Sequence, residues 1–397
     1  MQIDELDLAW EDETERGRHR RRARQRKSGK SRGGRTFFAL LISLLVLGGL
    51  AFGGWYGIDK VQSFFSAPDY NTGGSGEVMI EVLDGQTATD IGQTLVKADV
   101  VKSAKAFVEA AKADDRSKKL QPGFYKLRHK MRAVDALGLM LQPESRVVSK
   151  VTLPEGLIYI DAFAKLSEAT KIPVADFEAA AKDPVALGVP SFWFTRQDGK
   201  PVQKSIEGFL YPATYEFNPG VDAKSVLKAV IAKFNEEMEK TGFIEKVQQN
   251  LHISPFEALI VASIAQVEGK FPDDQANIAR VMYNRAYSKK FPCNCLQVDA
   301  AVNYWLRLQG KSIKQSQDLL KSEIHNLSNP YNTHDKPGLP VGPISSPGDT
   351  AIQGAMAPPK SDYLYFVAID KEGHTAFANN LDQHNANIAI AKKNGVL

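Results

Sequence analysis

The chain has 397 residues, 43% of them hydrophobic, and a formal net charge of +4. That length and apolar content allow two or three domains with a sizeable core, which excludes a wholly disordered chain. Two cysteines only, Cys293 and Cys295, exclude a disulfide framework, and their close spacing argues against a mutual bridge, leaving them as packing or incidental thiols.

The charge is unevenly spread. Residues 1–36 hold 11 Lys/Arg and 7 Asp/Glu, while residues 37–397 hold 39 of each. An acidic block, Asp4 to Glu15, precedes a basic run, Arg16 to Arg35, and neither can bury enough apolar surface to order itself. Residues 1–36 are therefore expected to be a disordered tail. The basic run has no interleaved aromatics for stacking, so no nucleic-acid partner is expected; it reads as a topology signal that also favours anionic lipid.

Phe37 to Tyr56 gives 20 residues without a charge, matching the roughly 20 that cross a bilayer core. A cleaved signal peptide would have an apolar core of only about 7 to 15 residues, and the Trp55-Tyr56 exit suits an interfacial anchor. The pattern predicts a retained single-pass transmembrane helix over 37–57. The arginines on its N-terminal flank place that end in the cytoplasm and everything after it outside.

Residues 58–76, ending in SAPDYNTGGSG, read as a flexible linker. A small α+β module follows over 77–147. Its expected parts are a strand at Val78–Val82, a helix from Thr89 to Val96, a second helix capped by Ser103 with Phe107, Ala110 and Ala111 inward, a strand at Gly123–Leu127, and a helix from Val134 to Leu141. This module either binds sugar or is a spacer. A connecting part over 148–250 begins with a strand, Val148 to Leu153, and an amphipathic helix, Tyr159 to Thr170, and is mostly helical to residue 250. Turn-rich breaks fall at Gly188–Lys204 and at Glu207–Tyr215.

The densest chemistry lies in 251–397. Ser254-Pro255-Phe256-Glu257 is a capping box with proline at the first helical position. From Leu259 to Val267 only Ser263 and Gln266 are polar, so this helix should be central, with Glu268 at its end. A carboxyl in apolar surroundings has its charged form disfavoured and can stay a proton donor near neutral pH. The competing reading is a Glu already emerging into solvent, with Gly269-Lys270 after it.

Asp273 or Asp274 is expected to cap the next helix, about Gln275 to Tyr287. Asp299 reads as a cap or a site residue, and Gln297 as a hydrogen-bonding group for a sugar hydroxyl or amide. Asn329 to Gly348 holds five prolines and three glycines, more punctuation than a connector needs. Such a loop either merely packs or presents Tyr331, Asn332, Thr333 and His334 at little entropic cost to a sugar polymer. A short helix, Thr350 to Ala357, a buried strand, Tyr363 to Ala368, and a partner strand, Gly373 to Phe377, complete the pattern. His374 and His384 have no supporting nucleophile, metal or phosphate-loop motif, so they are expected to be structural, and no cofactor or metal is required.

Taken together, Ala262-Ser-Ile264 with Glu268 four positions on, Leu296-Gln-Val-Asp299, Tyr331-Asn-Thr333, Gly338-Leu-Pro, Gly342-Pro-Ile344 and Pro347-Gly348 resemble the YceG-like family of endolytic murein transglycosylases. Glu207-Gly-Phe-Leu-Tyr-Pro212 and Leu120-Gln-Pro-Gly-Phe-Tyr125 look like further family segments. Gln266 departs from the pattern, standing where many relatives have a second Glu.

The resemblance implies an α+β chain with a membrane anchor, a LysM-like module after it, and a mixed α/β catalytic domain that cleaves peptidoglycan glycan strands. It implies Glu268 as the catalytic acid; Gln297, Asp299, Tyr331, Asn332 and Thr333 are the expected substrate-binding residues. Cell-wall synthesis or division proteins are candidate partners. Two alternatives remain: a lysozyme-like hydrolase, which needs Asp299 or Glu207 across the bond from Glu268, and a non-catalytic, membrane-tethered peptidoglycan-binding scaffold.

Overall fold

The computed structural model describes residues 44–49 and 67–397. It divides into two units, Met1–Ala67 and Pro68–Leu397. In the first, residues 44–49 are helical (α1), with Leu44, Leu45, Val46 and Leu47 exposed. The expected tail and most of the expected 37–57 span lie outside the described residues, among which no helix is long and apolar enough to cross a membrane.

The second unit begins with a βααβ arrangement: β1 (Gly73–Val82), α2 (Ala88–Lys97), α3 (Ala104–Ala113) and β2 (Gly123–Met131). Thr87 closes a capping box on α2, and Ser103 caps α3 by accepting the Ala106 amide. β1 pairs antiparallel with β2, whose other edge takes the two-residue β3 (Arg146–Val147) after α4 (Ala133–Met140). β1 starts inside the stretch expected to be linker, with Gly73 opposite Met131 and an irregularity between Ser75 and Val78. The left-handed backbones of Gly74 and Gly76 explain why a glycine-rich segment could bend onto the sheet edge rather than stay free.

β4 (Ser149–Thr152) pairs with β5 (Thr214–Phe217), and the intervening chain carries α5 (Tyr159–Thr170) and α6 (Val174–Ala180). Then follow α7 (Ala223–Thr241), α8 (Phe243–Leu251), α9 (Pro255–Glu268), α10 (Pro272–Tyr287), α11 (Asp299–Leu308), the single turn α12 (Lys321–Ile324) and α13 (Asp349–Met356). A ribbon of β6 (Tyr365–Ala368) and β7 (Thr375–Ala378), backed by α14 (Leu381–Lys393), ends the chain. β6 was expected to be buried but is only half so; among the described residues β7 is its one strand partner. The architecture is mixed α+β, as expected.

The main core is continuous from Val151 to Met356, and α9 is its axis. Phe256 and every residue from Ala258 to Ala265 are fully buried, as a helix apolar on all sides requires. A cluster of rings, Trp193, Phe209, Phe234 and Phe243, packs with centroids 5.1–6.0 Å apart in the same core.

Two local expectations are corrected. α10 starts at Pro272 with Phe271 as its N-cap, so Asp273 and Asp274 sit in its first turn rather than capping it. Proline has no amide hydrogen to satisfy at the first helical position, and acids in the first turn still favour the helix dipole. Cys293 and Cys295 do form a disulfide. Asn294 between them adopts a left-handed backbone, φ 47°, which folds the chain back and brings their Cα atoms to 5.0 Å, inside the range a disulfide bridges.

Candidate active site

The site forms where the C-terminal end of α9 meets the 329–348 loop and the start of α11. The entry of α9 is rigidly held. Ser254 and Glu257 cap it reciprocally, and the buried Glu257 carboxylate also accepts the Gln197 amide at 3.0 Å and the Tyr287 hydroxyl at 2.9 Å. Seven consecutive fully buried residues, Leu259 to Ala265, then carry the helix through the core. The last turn surfaces as Gln266, Val267 and Glu268.

Glu268 is enclosed but retains partial access to solvent. Burial is the largest influence on its carboxyl and pushes it up to about 7; the nearby Asp299 charge adds to the rise, while the Ala300 amide and the Arg285 guanidinium oppose it. Asp299 behaves oppositely. The His334 ring, with Nε2 3.0 Å from Asp299 Oδ1, holds this carboxyl below its usual value, with Ser316 assisting. The two acids thus differ in role at neutral pH: Glu268 can hold a proton and Asp299 stays ionised. Environments that push two neighbouring carboxyls apart are how one site supports acid–base chemistry.

The expectation that Asp299 caps α11 is corrected: Val298 is the N-cap, and Asp299 is the first helical residue. Its carboxylate meets the His334 ring, and its charge is felt by Glu268. Arg285 is buried; its Nε donates to the Leu364 carbonyl, another guanidinium nitrogen donates to Leu296 O, and its cation lies over the Phe291 ring. It ties the approach to Asp299 to the core.

The 329–348 loop is held along its whole length. Asn332 Oδ1 accepts the His334 and Asp335 amides, and its Nδ2 donates to Ile324 O, Asn326 O and Asp335. Thr333 Oγ1 accepts the Val298 amide at 3.0 Å and donates to the Val298 carbonyl at 3.1 Å. Tyr331 is buried, its ring edge-on to Tyr304 with centroids 4.8 Å apart. The polar groups of Asn332 and Thr333 are occupied inside the protein, so the loop's side chains frame the site instead of extending from it. Gln297 is exposed, in a left-handed conformation with φ 53°, and its backbone amide donates to Thr333 O at 2.8 Å.

The second half of the loop docks on α9. Arg196, buried beside Asp198, donates to the Leu339 and Pro340 carbonyls, and the Gly338 amide reaches Asn294 O at 2.6 Å. Ser263 Oγ accepts the Ile344 amide at 3.0 Å, and its carbonyl accepts Ser345 Oγ at 3.0 Å. Gln266 Oε1 accepts the Gly348 amide at 2.7 Å while its Nε2 faces Glu155 at 3.5 Å. A glutamate at 266 would lose that donor and bring a second carboxylate up to Glu155. Glu155 was not singled out from the sequence, because nothing local marks it as a neighbour of Gln266.

Glu207 is fully buried. It accepts the Tyr159 amide at 3.1 Å and sits among the Tyr159, Tyr304 and Tyr331 side chains. Burial pushes its carboxyl up to about 8. Gly208 beside it has φ +85°, and a Cβ there would meet Pro343 at 2.7 Å, so the Glu207-Gly208 turn needs glycine where it touches the loop. Glu207 therefore belongs to the packed support of the site. A groove of about 560 Å³, lined in part by Val267, Ala300, Tyr304 and Ile344, runs beside this assembly.

The YceG-like family model matches residues 80–390. A Streptococcus pneumoniae protein (serotype 2, strain D39) named endolytic murein transglycosylase is 30% identical over 382 residues, 88% of this chain and 65% of that protein. The chain thus spans just under two thirds of that relative's length. A Bacillus subtilis strain 168 protein of the same name is 30% identical over 314 residues, covering 78% of this chain and 83% of the relative. A crystal structure of a Listeria monocytogenes protein described as YceG-like superposes with a TM-score of 0.51 at 26% identity, covering 78% of this chain and 98% of the other.

Proposed function

The chain belongs to the YceG-like family, and we propose that it is a membrane-anchored endolytic peptidoglycan lytic transglycosylase. The observation that carries this reading is the placement of Glu268 at the end of the buried helix α9, in one site with an Asp299 paired to His334, surroundings that favour the protonated form of the first and the ionised form of the second. Similarity to relatives named endolytic murein transglycosylase supports it.

In this reading Glu268 gives its proton to the oxygen linking MurNAc to GlcNAc, and the bond breaks through an oxocarbenium-like state. The ionised Asp299 next to it favours that developing positive charge. Glu268, now a carboxylate, takes the proton of the C6 hydroxyl of the same MurNAc, whose oxygen closes on C1. The product end is 1,6-anhydroMurNAc, no water is consumed, and Glu268 is protonated again. An internal nucleophile has a high effective concentration, so one carboxyl can serve both steps.

The charge-free 37–57 run with its arginine flank supports a single-pass anchor with the folded region outside the cell. The Cys293–Cys295 disulfide fits the same side, since such bonds persist in oxidising compartments. The βααβ module at the start of the second unit is proposed as LysM-like.

The test is wild type against Glu268→Gln on purified glycan strands, with product ends identified by mass spectrometry. Anhydro ends from the wild type alone support the proposal. Reducing ends would instead assign a hydrolase, a reading favoured by the closeness of Asp299 to Glu268 but not by Glu207, which is sealed in the core. Binding without any product would leave a scaffold.

A further inference from the structure

The groove beside Glu268 has an unusual wall. Leu157 and Ile158 line it from the segment after β4, Val267 from the last turn of α9, and Ile313 from the loop after α11. Val267 is 41% exposed and Ile313 69% exposed. Neither lies in an ordinary connector: Asn303 fastens the Ile313 loop by accepting the Lys314 amide at 2.9 Å and donating to the Lys314 carbonyl at 2.8 Å. An open cleft with an aliphatic side, held in shape by these contacts, marks a surface that something covers.

Arg307 of α11 and Asp161 of α5 line the groove and pair with each other through a single Arg307 Nη2 contact. Asn303, Tyr304 and Ser312 also line the groove, but the Asn303 amide is engaged by Lys314 and the Tyr304 hydroxyl by Glu207. A guanidinium has five N–H donors in a fixed fork, and no other hydrogen bond among the described residues uses those of Arg307. Asp161 thus orients a cation whose remaining donors match a carboxylate.

These features select against a sugar ring as occupant. A pyranose brings hydroxyls around its whole rim, and those facing Leu157, Ile158, Val267, Ile313 and Ile344 would find no partner there, at a cost for each. A short peptide on a lactyl ether is the better match: methyl groups first, then an acidic residue, with its amides free to keep water on the open side. The position agrees, because Val267 adjoins Glu268 and Ala300, whose amide supports the Glu268 carboxyl, also lines the groove.

We propose that this groove seats the peptide stem carried by the MurNAc at the scissile bond, with Val267 and Ile313 gripping its methyl groups and Arg307, oriented by Asp161, receiving its carboxylate. This rests on the reading of the chain as a peptidoglycan-cleaving enzyme and deepens it: the substrate is the stem-bearing strand, recognised through peptide as well as glycan.

The decisive measurement is binding, which needs no turnover. Full-length protein carrying Glu268→Gln is titrated calorimetrically with a GlcNAc–MurNAc disaccharide bearing an L-alanyl-D-glutamyl stem and with the same disaccharide lacking the dipeptide. The stem-bearing ligand should bind about tenfold tighter or more, the scale of one charge-assisted hydrogen bond. That ratio should collapse towards one in Arg307→Gln and, separately, in Ile313→Ser, whose exposed position makes misfolding no explanation. A parent ratio near one, or a ratio unchanged in both variants, overturns the proposal, as does binding of neither ligand. Absence of cleavage by the wild type on whole strands, with the ratio intact, would sink only the catalytic reading.

Discussion

Ser263 and Ile344, 81 residues apart, are joined by a 3.0 Å hydrogen bond from the Ile344 amide to the serine hydroxyl oxygen. The hydroxyl itself turns back to the Ile260 carbonyl at 2.7 Å, so it bridges helix and loop. Ser263→Ala would leave the buried Ile344 amide without an acceptor, a loss of about 1–3 kcal/mol. Denaturant unfolding should show that loss. Activity on glycan strands should fall further than stability alone explains, because Ile344 lines the groove.

Glu268→Gln keeps the size of the side chain and removes the transferable proton. Cleavage should drop by about two to four orders of magnitude, while the thermal unfolding midpoint at pH 8 stays at or above that of the parent. Residual cleavage close to the parent rate would remove Glu268 from the chemistry.

With the Glu268 carboxyl at about 7, the proton-donating form is depleted as pH rises through that value, so the rate should decline on the alkaline side of neutrality. Asp299→Asn removes the neighbouring charge that helps keep Glu268 protonated. Its alkaline limb should therefore move to lower pH. A pH–rate profile of each protein measures this, and a limb that stays in place would detach Asp299 from the titration of Glu268.

Glu207 makes a stability prediction of defined sign. Burial raises its carboxyl to about 8, against an ordinary value of 4.5, so the folded state binds the proton more tightly than the unfolded one. Its contribution is whole below about pH 4.5 and is lost as pH climbs through about 8. Unfolding free energy measured at intervals from pH 5 to 9 should fall across that window, and Glu207→Gln should flatten the fall. Part of the slope will remain, since Glu268 shifts in the same direction.

The Cys293–Cys295 bridge closes a very short loop, so chain entropy assigns it only about 1.6 kcal/mol. Cys293→Ser should fold and unfold cooperatively with a small drop in midpoint. Alkylation under native and reducing conditions should show whether Cys295, fully buried against Phe291 and Leu364, stays protected.

Much of the frame around the site is written locally. The Ser254–Glu257 capping box and Pro255 announce the start of α9, and its unbroken apolar stretch announces that it is buried on all sides. The same local logic places Ser103 as a cap and Tyr159 to Thr170 as a helix. Where it failed, a competing local signal was present: Pro272 made the first turn of α10 possible without a side-chain cap, and the left-handed Asn294 made a bridge feasible between cysteines one residue apart.

The polar loop shows the deeper limit. Asn332 and Thr333 are hydrogen-bonding residues in any reading, but whether their donors face a ligand or the protein depends on partners such as Val298, 35 residues away. The environments of Glu207 and Gln266 are equally non-local, since Tyr159 and Glu155 reach them only across the fold.

The sequence by itself determined that a buried helix ends in Glu268 beside a stiffened loop, because caps, prolines and hydrophobic periodicity act over a few residues. Only the tertiary structure decided which carboxyl keeps its proton, which loop groups are already satisfied, and where an open groove remains. Those properties arise from desolvation and from charges brought together across the core, and neither is encoded in the spacing of residues along the chain.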